Sequence, residues 1–164
     1  MNHFRLVFIL YLLFFTNISH ADEYKGTVIE VTDGDTIKVK TATNKINKVR
    51  LSYIDAPETK PVQKYGKSSK IFLEKIILNQ NIIINTEEND RYGRQLGEVY
   101  LYTHDKRVFI NAKMIKSGNA WVYIKYRSNT YLLNLEEHAR TNKLGLWAHP
   151  PFIEPWVFRK KNKK

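Results

Sequence analysis

Cysteine is missing altogether from the 164 residues, which excludes disulfides, thiolate-held zinc, iron–sulfur clusters and thiol nucleophiles together. Glycine (7) and proline (5) are few, against a collagenous or low-complexity chain. Acidic residues are scarce as well, 16 against 27 Lys and Arg, for a net charge of +11. So basic a chain draws polyanions, which leaves nucleic acid, anionic lipid or acidic protein as partners. Long apolar runs are lacking too. The longest, Leu6 to Phe15, reaches about 15 Å as a helix, roughly half of a ~30 Å hydrocarbon core. What remains, at 43% hydrophobic and 26% charged, is globular material.

Arg5, the apolar run and Ser19-His20-Ala21 form the pattern of a signal peptide cut after Ala21. Residues 1–21 are therefore expected to be removed, and the protein to be secreted to the periplasm or the medium with no stable membrane insertion. Residues 22–158 read as one domain, and 159–164 as a solvated basic tail that adds nonspecific attraction. The basic character survives removal of the leader. From Tyr24 to Tyr53, alternating apolar residues and the turn signals Asp33-Gly34 and Thr43-Asn44 predict three strands of an antiparallel meander. Lys64 to Leu78 has helical spacing, Ile82 to Asn85 and Leu96 to Tyr102 are two further strands, and Val108 to Lys116 and Tyr131 to Asn142 are two further helices. Ala120 to Ile124 is apolar and extended. The order predicts an α+β fold, a five-stranded OB-fold Greek-key β-barrel with three α-helices, in which closure removes exposed strand edges.

In a basic chain the informative residues are carboxylates that folding does not require. Asp33 has a plain reading as hairpin-turn chemistry, because Asp-Gly tolerates positive φ. Asp35 falls just after the turn, where a carboxylate adds nothing to pairing. In Arg50-Leu51-Ser52-Tyr53-Ile54-Asp55-Ala56-Pro57-Glu58-Thr59, Arg50 and Ser52 share a strand face, and Pro57 frees Asp55 and Glu58 from the ladder. An acidic strand-to-helix turn is the alternative reading there. Asp90-Arg91-Tyr92-Gly93-Arg94 is a polar hairpin connection in which Arg94 is either solvated or functional. Together these groups are the parts of a phosphodiester hydrolase. Two carboxylates and a carbonyl suit a hard cation with open positions, two guanidinium forks suit phosphate oxygens, and a further carboxylate suits the attacking water. His104, His138 and His149 lack metal-ligand spacing, and Trp121 and Trp147 read as packing anchors.

At these three clusters the sequence resembles the thermonuclease family, the staphylococcal-nuclease-like enzymes. The matching segments are Val31 to Thr36, Arg50-Leu51 with Ile54 to Thr59, and Asp90 to Arg94, and the similarity continues through Asn111 to Gly118, Tyr126 and Gly145-Leu146-Trp147. The resemblance implies that Asp35, Asp55 and the Ala56 carbonyl bind Ca²⁺, with Asp33 in support. It implies that Arg50 and Arg94 hold the scissile phosphate, that Glu58 acts on the water, and that Tyr92 and Tyr126 contact nucleotide. The implied activity is endo- and exonucleolytic cleavage of DNA and RNA on the 5′-oxygen side, leaving 3′-phosphates, by a monomer that favours single-stranded or locally opened substrate. Ala56 stands where a Thr is familiar, Ile124 stands at another familiar Tyr position with Tyr123 one residue away, and the stretch from Glu58 to Tyr65 is short. The rival from another class is a noncatalytic OB-fold module that binds nucleic acid or protein. Such a module is expected to lack one of Asp35, Arg50, Asp55, Glu58 or Arg94, and all five are present.

Overall fold

Pairs of apolar residues two apart, Ile37 with Val39, Val49 with Leu51, Ile82 with Ile84 and Val99 with Leu101, are all buried, because alternate side chains of a strand share one face. They line the inside of a barrel. The computed structural model describes residues 22–103 and 106–162, apart from the side chain of Glu87. The expected signal peptide and His104 lie outside the described residues. The barrel strands are β1 (Asp22–Asp33), β2 (Thr36–Thr41), β3 (Ile46–Leu51), β5 (Asn81–Asn89) and β6 (Gln95–Thr103). Their order is β3-β2-β1-β5-β6, and a parallel pairing of β3 with β6 closes the cylinder. Val28 and Val31 both face inward although three residues apart. The register shift between Val28 and Glu30 resets the phase.

A short strand β4 (Ile54–Asp55) pairs with β8 (Trp121–Val122) beside the barrel. Helix α1 (Gly66–Ile77) buries Ser69, Leu73 and Ile77, one stripe at i, i+4, i+8. Where the sequence predicts a helix from Val108, a sixth strand comes first: β7 (Lys106–Phe109) pairs with β6, and α2 (Ile110–Lys116) follows. The β-branched and aromatic pair Val108-Phe109 extends the β6 hairpin instead of opening the helix. Helix α3 (Thr130–Thr141) starts at Asn129, whose side chain accepts from the Leu132 amide at 3.1 Å.

The architecture is the expected α+β barrel of OB type, but with four helices where three are expected. Helix α4 (Pro155–Lys161) is the addition, with Pro155 in its first turn. It runs through Arg159, so the stretch expected to be a solvated tail begins as ordered helix. Trp156 explains the ordering: its ring lies 6.2 Å from those of Trp121 and Tyr123. Trp121 and Trp147 sit in a small second core with Ala139 and Leu146, the anchoring role the sequence suggests. Among the described residues no helix is long and apolar enough to cross a membrane.

Candidate active site

The β1–β2 turn forms as Asp-Gly predicts, with the Asp35 amide donating to Asp33 Oδ1 at 3.1 Å. That turn lifts Asp35 to the barrel rim. Asp35 Oδ1 accepts from Thr36 Oγ1 at 2.9 Å and Oδ2 from the Ala56 amide at 3.1 Å. A Cβ on Gly34 would lie 2.0 Å from Ser69 Oγ and 2.7 Å from Ala56 Cβ, so glycine is what lets the acidic turn press against Ala56 and α1.

Arg50 points from β3 into the same corner. Its Nη2 lies 3.1 Å from Asp35 Oδ2 and 2.8 Å from Asp55 Oδ1, while Nη1 donates to the Ile54 carbonyl at 2.9 Å. The Asp55 side chain is fully buried, and Asp35 is only 5% exposed. Burial pushes the Asp33 carboxyl up, to about 7, helped by the charge on Asp35. Burial also opposes charge on Asp35, but Arg50 and the hydrogen bonds around it hold that carboxyl below the usual carboxylate range. Asp55 is raised to about 6, burial and the Asp35 charge outweighing its two arginine partners. Three oxygen acids therefore crowd one corner of low dielectric, with one proton retained by the Asp33–Asp35 pair to near neutrality.

Glu58 sits on the loop between β4 and α1, and Gln63 fixes its backbone by donating to the Glu58 carbonyl at 2.9 Å and accepting from the Glu58 amide at 3.1 Å. A Cβ on Gly66 would lie 2.0 Å from the Glu58 carbonyl oxygen, so the start of α1 also holds this loop. The Glu58 carboxylate pairs with Arg159 of α4 at 2.5 Å.

These groups open onto a groove of about 820 Å³. Its far wall is the β5–β6 hairpin, where Asp90 accepts from the Tyr92 and Arg94 amides and from Arg94 Nε at 2.8 Å. Arg94 thus lines the groove with its guanidinium paired to Asp90 rather than to the acid corner. Tyr92 is exposed, with the Arg91 and Arg94 guanidinium groups over its ring at 4.9 and 5.5 Å. Tyr126 lines the opposite side, edge-on to Tyr53 at 4.9 Å. Asp33, Asp35, Arg50, Ala56, Glu58, Tyr92, Arg94 and Tyr126 all line this one groove, and Asp55 lies beneath it, bonded to Arg50.

Tyr123 and Arg159 are among the groove residues to which the sequence assigns no site role. Tyr123, noted only as lying one residue from a familiar Tyr position, faces the groove with the Arg50 guanidinium 5.7 Å from its ring centre. Arg159 forks both oxygens of Asp55, Nη1 to Oδ1 at 3.0 Å and Nη2 to Oδ2 at 2.7 Å. Its setting among lysines reads as a charge run, and no local signal distinguishes it.

The profile of the staphylococcal nuclease homologue family matches residues 48–149. The chain belongs to that family. A Haemophilus influenzae protein described as an uncharacterized endonuclease is 38% identical over 154 residues, covering 93% of this chain and 83% of that one. An Escherichia coli O157:H7 protein of the same description is 37% identical over 82% of this chain and 84% of its own length. A Shigella flexneri protein named micrococcal nuclease is 36% identical over 86% of this chain and 83% of its own length. Two of these relatives are described as endonucleases and one is named a nuclease, and nuclease activity is what membership supports for the groove.

Among the described residues no three acidic or histidine side chains form a closed metal cage. The donor chemistry nevertheless fits a hard cation. Asp35 and Asp55 share Arg50 Nη2, Ala56 follows Asp55 in the chain and its amide meets Asp35 at 3.1 Å, and the side-chain donors of the two acids are all oxygen.

Proposed function

We propose that this protein is a secreted, Ca²⁺-dependent nuclease that hydrolyses phosphodiester bonds of DNA and RNA by in-line attack of water on phosphorus, opposite the 5′-oxygen, so that the P–O5′ bond breaks and 3′-phosphate and 5′-hydroxyl ends remain. The observation that carries the reading is the convergence of Asp35, Arg50, Asp55 and Glu58 at one end of a groove whose walls carry Arg94 and tyrosine rings. Asp35, Asp55 and the Ala56 carbonyl would hold the cation, which supplies positive charge to a phosphate oxygen and lowers the barrier by offsetting charge that grows there. Asp33 supports them by fixing the turn.

Arg50 is already oriented by the Ile54 carbonyl and both acids, so it meets the phosphate without reorganising, which is where electrostatic stabilisation is most effective. Arg94, braced by Asp90, approaches from the hairpin. Glu58 has Oε1 engaged by Arg159, leaving Oε2 to accept a proton from the attacking water. A carboxylate is a weak base for water, so turnover rises from neutral to alkaline pH as hydroxide becomes available. Tyr92, Tyr126 and Tyr123 offer ring faces and edges that accept any base. The protein acts as a monomer in the periplasm or medium after cleavage behind Ala21.

Purified protein incubated with single-stranded DNA or RNA is expected to degrade both with Ca²⁺ and neither with EDTA, with 3′-phosphate ends on the products. Retention on nucleic acid without cleavage in either condition would favour the noncatalytic module and overturn the reading.

A further inference from the structure

The family profile ends at residue 149, yet a side chain ten residues beyond it reaches the acid corner of the groove. Arg159 places one fork on Asp55, at 3.0 and 2.7 Å, and its Nη1 also meets Glu58 Oε1 at 2.5 Å. It is the one cation paired with the Glu58 side chain among the described residues. Gln63 fixes only the Glu58 backbone, so the direction of the carboxylate depends on Arg159.

Arg159 is itself held in place. Trp156, one turn earlier in α4, packs on Trp121 and Tyr123. Gln63 Nε2 donates to the Ile153 carbonyl at 2.7 Å, and Lys64 Nζ to the Pro150 carbonyl at 2.6 Å. The same Gln63 that grips the Glu58 backbone therefore grips the approach to α4. Loop and helix form one unit.

We propose that Arg159 is a positioning residue for the reaction: by bridging Asp55 and Glu58 it fixes the water-activating carboxylate relative to the buried acid, so that α4 completes the site from outside the family core. The inference rests on the nuclease function proposed above. A planar guanidinium suits this task because its rigid fork spans two carboxylates, whereas an ammonium acts as a point charge. Misplacement of a reacting group by about 1 Å costs on the order of 10²-fold in rate.

The test compares parent protein with Arg159→Gln and Arg159→Lys on a single-stranded oligonucleotide. For Arg159→Gln we expect kcat to fall about 10²-fold with KM within about threefold, the pattern of a lost transition-state arrangement rather than lost binding. Arg159→Lys is expected to recover only part of the loss, and it keeps a cation in place should the neutral variant fold poorly. The Ca²⁺ affinity of Arg159→Gln, measured by calorimetry without nucleic acid, is expected not to fall, because Asp35, Asp55 and Ala56 are retained while a positive charge beside Asp55 is removed. Parental kcat in either variant overturns the inference, as does a tenfold gain in Ca²⁺ affinity with undiminished kcat, which would make Arg159 a competitor of the cation. A parent that cleaves nothing sinks the nuclease function and this inference together, whereas an unaffected variant of an active parent sinks this inference alone.

Discussion

Asp33 and Asp55 hold their protons to about pH 7 and about pH 6 in the folded chain, against a reference value of 3.8. The folded state therefore binds more protons than the unfolded one between about pH 4 and pH 7, and stability must fall as pH rises through that interval. Below about pH 4 the contribution is complete. Asp35 and Asp90, held below their usual range, act in the opposite direction only under still more acid conditions. In the presence of chelator, the urea midpoint is expected to be lower at pH 8 than at pH 5, and added Ca²⁺ is expected to restore most of the difference. A chelated midpoint that climbs steadily across the interval would contradict the placement of these acids. At this scale most of the corner was legible in sequence, because its groups come from two short segments, although Asp55, expected to be freed from the ladder by Pro57, instead lies in β4 and pairs with Trp121. Arg159 was not, since its partner Asp55 lies 104 positions away and its neighbours are lysines.

Among the elements, α2 packs Ile110, Met114 and Ile115 into the barrel core and is hydrogen-bonded to the strands by the Asn111 side chain. Asn111, fully buried, accepts from the Val99 amide at 2.9 Å and donates to the Ser52 and Gly97 carbonyls at 2.9 and 3.0 Å. It thus joins the helix to β6 and to the turn that leads from Arg50 to Asp55. Asn111→Ala would take the partner from the buried Val99 amide and the Ser52 carbonyl, while the Gly97 carbonyl keeps the Ser52 amide at 2.9 Å, and is expected to cost about 2–4 kcal/mol in urea denaturation. A loss below about 1 kcal/mol would mean that water or rearrangement satisfies those groups. Glu136 does comparable service for the other wall, accepting from the Val122 amide at 2.9 Å from inside α3 and so fixing the strand that carries Tyr123 to the groove. The five barrel strands were readable because apolar residues alternate with a period of two. The boundary between β7 and α2 was obscured because the apolar residues of Val108 to Lys116 serve a strand edge and a helix face in succession. Helix α4 owes its place to Trp156 packing on distant rings, a contact that no local periodicity records.

Across the whole molecule, the net charge of +11 and the groove cations Lys48, Arg91 and Lys125 beside the acid corner favour a substrate gripped by its backbone rather than read by its bases. Binding of a single-stranded oligonucleotide in EDTA is expected to weaken steeply with salt, with a log–log slope of about −2 or steeper if three or more phosphates are held. Salt-insensitive binding would show that the charge plays no part in holding substrate. The parallel pairing that closes the barrel aligns Arg50 with Leu96, and Val49 with Gln95, the neighbour of Arg94. A slip of one position along that seam would turn Val49 and Leu51 outward and drive a guanidinium into the apolar interior. The spacing between the two arginines is consequently quantised by strand pairing: a chain that closes its cylinder at all has set the calipers we propose for phosphate, and one that closes out of step forfeits core and calipers at a stroke.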